Sequence, residues 1–169
     1  LVFDKELMIY ENTDVMPRAF VVGQYRVIKN LETVLKAMKD PFFEPRNEVI
    51  LEIDPGLQLG GSTSEIVSNI MIEHYGNRNI IIKTNTSEDG LLVLTDTNYP
   101  GWEAYVDEVK TNIYTGNYLF RVISLPKGSH TVRFFFNPKS FKLGLWISLL
   151  SFFIGGGFLL LRKQHFIKK

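Results

Sequence analysis

Residues 131–161 read TVRFFFNPKSFKLGLWISLLSFFIGGGFLLL: an alternating run, a break at Pro138, two lysines, and then an uncharged stretch from Leu143 to Leu161. In Thr131-Val132-Arg133-Phe134 polar and apolar residues alternate with period two, the pattern of a strand with one covered face. Proline cannot donate to a sheet ladder, so Pro138 ends that strand. The uncharged stretch has no polar stripe of the kind that a half-buried helix carries, and as a helix it covers about 28 Å at 1.5 Å per residue, close to a hydrocarbon core. These residues predict a β domain that passes, within a few residues, into a single transmembrane helix.

The flanks set an orientation. Lys139 and Lys142 precede the apolar stretch, whereas Arg162, Lys163, Lys168 and Lys169 follow it, so the positive-inside bias puts the C-terminus in the cytoplasm. Three segments result: an extracytoplasmic β domain over 1–137, a transmembrane helix over 138–161, and a basic cytoplasmic tail over 162–169. Trp146 suits the outer interface, and Gly155, Gly156 and Gly157 offer either a smooth face for a neighbouring helix or small-residue filler. The first residue is Leu1 and no signal peptide precedes it, so delivery of the β domain across a membrane is expected to depend on an upstream part of a longer protein.

Upstream of residue 131, short runs with β-type patterning recur at 7–10, 19–22, 48–53, 65–75, 79–84, 91–95, 102–106 and 118–125. Turn chemistry separates them at Asp54-Pro55-Gly56, Gly60-Gly61-Ser62, Tyr75-Gly76-Asn77, Ser87-Glu88-Asp89-Gly90, Tyr99-Pro100-Gly101, Thr115-Gly116-Asn117 and Pro126-Lys127-Gly128. Because each turn is short, neighbouring strands are expected to be antiparallel. The fold class is therefore mainly β, an antiparallel, jelly-roll-like sandwich. One helix is expected over 31–39, with Leu31, Val34, Leu35 and Met38 at helical spacing, Asn30 as its cap and Pro41 as its stop. Thirteen Phe and seven Tyr lean toward sheet. A net charge of +1 with scattered cations argues against a nucleic-acid partner, and the absence of cysteine excludes disulfides and thiolate metal sites.

Three stretches together resemble the C-terminal part of the YfhO-like bacterial membrane proteins, a family grouped with membrane glycosyltransferases that use polyprenyl-phosphate sugars. They are Ile9-Tyr10-Glu11-Asn12 with Met16-Pro17-Arg18-Ala19-Phe20, then Leu92 to Asp107 (LVLTDTNYPGWEAYVD), then Asn117 to Phe134 running on to Asn137-Pro138. After Asp107 the family usually has glycine where this chain has Glu108, which leaves the turn type open. The resemblance implies a parent with many membrane helices, of which this helix is the last, and a catalytic acid on an early outer loop that is not in this chain. It carries over no catalytic residue to this chain, and no cofactor or metal is expected.

The role expected on this basis is a non-catalytic outer domain of a glycosyltransferase that uses lipid-linked sugars to modify cell-surface glycans. Its partners would be the lipid bilayer, the parent's other helices, and a glycan or polyprenyl-phosphate sugar. The alternative is a structural or partner-binding sandwich that caps the membrane bundle. Tyr99, Trp102 and Tyr105, around a Pro-Gly turn, are candidate glycan contacts because aromatic faces stack on sugars; Trp102 equally suits a core plug. Arg18, Arg121 and Arg133 are candidate phosphate contacts, or partners for Asp96, Asp107 and Glu103. His74, His130 and His165 lack zinc spacing, Asp4, Glu6, Glu11 and Asp14 lack Asp-x-Asp spacing, and Gly60-Gly61-Ser62-Thr63-Ser64 lacks the lysine of a phosphate loop.

Overall fold

The apolar runs pair into two facing sheets. A computed structural model describes residues 3–4, 8–59 and 66–167, with side chains described within 10–59 and 66–155. In chain order the strands are β1 (Phe3–Asp4), β2 (Met8–Ile9), β3 (Ala19–Val22), β4 (Gln24–Val27), β5 (Glu48–Leu51), β6 (Ser68–Tyr75) and β7 (Asn79–Thr86). They continue with β8 (Gly90–Thr97), β9 (Trp102–Val106), β10 (Val109–Thr111), β11 (Tyr114–Gly116), β12 (Phe120–Leu125) and β13 (Gly128–Phe136). Helix α1 (Leu31–Met38) lies between β4 and β5, and α2 (Lys139–Ile167) follows β13. One sheet has six strands in the order β3-β8-β12-β11-β5-β4, the other has five in the order β10-β9-β13-β7-β6, and β1 pairs with β2 alone. The architecture is mainly β and sandwich-like, with two helices.

Burial follows the sheet rule on one side and departs from it on the other. In the five-stranded sheet one face is covered: Ile80 and Ile82 of β7, Ala104 of β9, and Val132 and Phe134 of β13 meet Leu92, Leu94, Ile123 and Leu125 of the facing sheet. The six-stranded sheet is apolar on both faces. Leu91 and Val93 point away from that core into a second cluster with Val22, Val49, Leu51 and Val122, so Leu91 to Leu94 are all fully buried. A strand buried on both faces reads as a continuous apolar run rather than an alternating one.

Several expectations are corrected. Neighbours in sequence are not uniformly antiparallel: β4 and β5 are parallel, because the helix between them carries the chain back to start the next strand in the same direction. The turns after β7, β8 and β12 do not close hairpins but carry the chain from one sheet to the other. The strand expected over 118–125 starts at Phe120, since Asn117 and Tyr118 take left-handed φ values of +46° and +77° and form the turn. Gly116 sits inside β11, where a Cβ would run into Val122 and Val49. Strands β1, β4, β10 and β11 were not expected; β1 has two residues and β10 and β11 three each, too few to display a period. The helix stands where expected, its N-cap made by Asn30 Oδ1 accepting from the Thr33 N–H at 3.1 Å. At the β9–β10 hairpin Asp107 and Glu108 have φ +48° and +65°, the two left-handed residues of a type I′ turn, formed without glycine.

Helix α2 begins directly after Pro138. Phe141, Leu145, Trp146, Ile147, Leu149, Leu150, Phe152 and Phe153 are all exposed on it, and since several are consecutive, apolar side chains face every side. Among the described residues no helix is long and apolar enough to cross a membrane. The side chains of Gly156, Gly157, Arg162, Lys163, His165, Lys168 and Lys169, and likewise those of Asp4, Glu6 and Gly60 to Ser64, lie outside the described residues.

Candidate functional site

The end of the sandwich nearest α2 is built by the β8–β9 connection. Asn98 donates its N–H to the Leu119 carbonyl at 2.6 Å and its Nδ2 to Thr115 Oγ1 at 3.0 Å, while the Gly101 carbonyl accepts from the Asn137 N–H at 2.6 Å. Gly101 is required there: its φ is +112°, and a Cβ would meet the Phe136 ring and Pro138. The connection is thereby pinned to the strand that leads into α2.

Three rings follow from this. Phe136 lies 5.4 Å from Tyr99 and 5.3 Å from Trp102, centroid to centroid, both tilted as aromatic pairs prefer. Trp102 is half-buried and packs on the inter-sheet core; Tyr99 is 49% exposed. On one side of them opens a cleft of about 710 Å³, walled by Asn98, Tyr99, Trp102, Lys110, Asn112 and the first turn of α2 at Lys139 and Ser140. On the other side is a smaller cleft of about 280 Å³, walled by Tyr75, Asn77, Asp96, Tyr99, Trp102 and Arg121.

The smaller cleft holds a polar cluster between the sheets. Arg121 stacks on Trp102 with its guanidinium carbon 3.8 Å from the ring centroid, although only 5% of its side chain is exposed. Its Nε donates to the Thr97 carbonyl at 3.2 Å and its Nη2 lies 3.6 Å from Asp96. Asp96 also accepts from Arg18 at 3.0 Å and from the Tyr75 hydroxyl at 2.9 Å. Burial and the bond to Asp96 push the Tyr75 phenol up, so it stays protonated at neutral pH. Burial pulls the Arg121 guanidinium down from a value so high that it remains charged.

Tyr105 and Arg133 lie elsewhere, on the outer face of the five-stranded sheet. The Arg133 guanidinium sits 5.0 Å from the Tyr105 ring and pairs with Glu108 at 2.9 Å, while Tyr105 donates to Glu103 at 2.8 Å and Lys110 pairs with Glu103 at 2.9 Å. The bonds from Lys110 and Tyr105 hold the Glu103 carboxyl below its usual range. Asp107 pairs with His130 at 2.6 Å rather than with an arginine. The structure thus brings Tyr99 to Trp102 and Arg18 to Arg121, and sets Tyr105 with Arg133. Among the described residues no group of three or more His, Asp and Glu is placed to hold a metal ion.

Sequence reasoning missed Tyr75, Phe136, Asn98 and Asn112 as parts of this end. For Asp96 and Arg121 a signal existed. Leu92, Leu94 and Asp96 alternate along β8, and Arg121, Ile123 and Leu125 along β12, so both charged residues occupy core-facing register and have to find each other.

The family described as "Bacterial membrane protein YfhO" matches residues 63–148, half of the chain. The chain belongs to the YfhO family. No curated protein and no solved structure matches it. The YfhO match takes in Tyr99, Trp102 and Arg121, and the start of α2, so the walls of both clefts lie inside the family's own segment.

Proposed function

We propose that this YfhO chain is the extracytoplasmic C-terminal domain of a polytopic membrane glycosyltransferase that uses lipid-linked sugars, and that it contributes glycan contacts rather than catalysis. The observation that carries the reading is α2. A helix with bare aromatic and aliphatic side chains on all sides is stable only in lipid or against other apolar helices, and it springs from the wall of the 710 Å³ cleft. With α2 continuing through the bilayer over 138–161 and the tail of 162–169 in the cytoplasm, that cleft stands at the outer lipid surface, where a lipid-linked sugar is presented. Its lining supports the same use, because amides of Asn98 and Asn112 beside the Tyr99 and Trp102 rings supply hydrogen bonds and stacking faces for a sugar.

The test is binding of neutral oligosaccharides and of a polyprenyl-phosphate sugar to the chain in lipid nanodiscs, with Tyr99→Ala and Asn112→Ala as variants. Saturable binding weakened by both variants is expected. No binding by a folded chain, or binding that both variants leave unchanged, contradicts the role of this cleft.

A second reading, a structural cap on the membrane bundle, draws on one observation: Trp102 packs against Phe136, Arg121 and the core at once. On that reading Trp102→Phe lowers unfolding stability and leaves glycan transfer by the full-length parent as it was.

A further inference from the structure

We infer that the smaller cleft, walled by Trp102, Arg121 and the Asp96 and Tyr75 that Arg18 binds, is a subsite for an oxyanion, a carboxylate or phosphate group. The inference builds on the reading of the neighbouring cleft as a glycan site, with which it shares Tyr99 and Trp102.

The charge count is the first argument. Arg18 and Arg121 converge on the single carboxylate of Asp96, at 3.0 and 3.6 Å, and the third group on that carboxylate, the Tyr75 hydroxyl, is neutral. The cluster therefore carries one uncompensated positive charge beside a cleft that Asp96 and Arg121 help to wall, where low-dielectric walls strengthen its field. The second argument is hydrogen bonding. Arg121 Nη1 and Trp102 Nε1 are both buried donors without an acceptor, and they belong to side chains stacked on each other at 3.8 Å. Buried donors are costly when unpaired, and two together, one of them charged, call for an oxygen acceptor. The third argument is geometry. Asp96 occupies the Nη2 side of Arg121 and the Thr97 carbonyl its Nε, which leaves Nη1 unengaged, and Arg18, 54% exposed, adds a second guanidinium from the solvent side. A guanidinium with one free N–H edge beside a second guanidinium suits an oxyanion better than a neutral hydroxyl.

The outer cluster lacks this combination. Arg133 there has Glu108 as its own partner, and Glu103 is matched by Lys110, so no cation is left in excess between them.

Carboxylate and phosphate share this chemistry but come from different sources: an acidic sugar, a phosphate-bearing soluble ligand, or an anionic lipid headgroup at the foot of α2. The chain has two tryptophans, so Trp146→Phe leaves Trp102 as the sole tryptophan, excited selectively at its red edge and directly on Arg121. The W146F chain in phosphatidylcholine nanodiscs is titrated with inorganic phosphate and with glucuronate, against chloride at equal ionic strength. A second preparation contains phosphatidylglycerol. A saturable change in Trp102 emission with phosphate or glucuronate, weakened about tenfold in Arg18→Gln and lost in Arg121→Gln, is the expected result. If phosphatidylglycerol alone produces the change and abolishes the response to added phosphate, the oxyanion is a headgroup; if it leaves that response intact, the ligand is soluble.

Arg18 is exposed, so Arg18→Gln keeps the test decisive should Arg121→Gln fail to fold. No emission change with any of the three probes, or a change that Arg18→Gln leaves unaltered, overturns the inference. Neutral-oligosaccharide binding measured on the same preparation separates the two readings: its persistence without oxyanion binding removes this subsite alone, and its loss removes the glycan site as well.

Discussion

Two clusters in this protein use the same parts, an arginine over an aromatic ring beside a carboxylate, and differ in where they sit. Arg121 lies on Trp102 between the sheets with 5% of its side chain exposed, whereas Arg133 lies over Tyr105 on an outer face with 37% exposed, and its partner Glu108 is 76% exposed. In the buried cluster the desolvation cost of each charge is borne by neighbours, so each member depends on the others. In the exposed cluster water substitutes for any member that is removed. Burial, and not the list of interacting groups, decides which arginine the fold depends on.

Replacing each arginine by methionine breaks that comparison most directly. Arg121→Met is expected to cost about 3 kcal/mol, at the low end for a broken buried pair because Arg18 still neutralises Asp96. Arg133→Met is expected to stay within about 0.5 kcal/mol of the parent, as exposed pairs do. Urea unfolding of the two variants reads the difference, and equal losses would refute the distinction.

A smaller effect sharpens it on the exposed side. Glu108 holds φ +65° in the type I′ turn, where glycine carries no steric penalty. Glu108→Gly forfeits the Arg133 pair but relieves the backbone, with a net gain of about 0.5–1 kcal/mol in the same unfolding experiment.

The smallest effect concerns pH. The bond to His130 holds the Asp107 carboxyl below its ordinary 3.8, and the bond to Asp107 raises the His130 imidazole above its ordinary 6.5. The Asp107 contribution is present above its unfolded value and lost as pH falls through its lower folded one; the His130 contribution is present below 6.5 and lost as pH rises through its raised folded value. Wild type should therefore exceed His130→Gln in thermal stability at about pH 5, and the margin should shrink by about pH 9. A margin that grows toward alkaline pH would contradict the pairing.

How much of this was legible in the sequence follows the same division. Ala19–Val22 and Trp102–Val106 were placed to the residue: Trp102–Val106 shows its period because Glu103 and Tyr105 face outward, whereas Ala19–Val22, covered on both faces, reads only as a short apolar run. Sheet partners were not legible. Whether Tyr99-Pro100-Gly101 closes a hairpin or crosses to the other sheet depends on which face Leu92 and Leu94 bury, and a run buried on both faces hides that. Of the three candidate glycan contacts, Tyr99 and Trp102 wall the same clefts, but Tyr105, three residues after Trp102, points to the opposite face of its strand, as period two requires. The arginines were judged as one set, although Arg121 shares core-facing register with Ile123 and Arg133 alternates out of step with Phe134.

On the proposed function the β domain stands outside the cytoplasmic membrane and α2 crosses it. The chain has no cysteine, so a cysteine introduced into it is the one labelled position within these residues. Ser87, exposed in the connection after β7, and Lys169, the last residue, are each changed to cysteine, and intact bacterial cells are treated with a membrane-impermeant maleimide. Labelling of Ser87→Cys in intact cells, with Lys169→Cys labelled only after permeabilisation, is the predicted result. Both positions labelled on the same side would contradict the account.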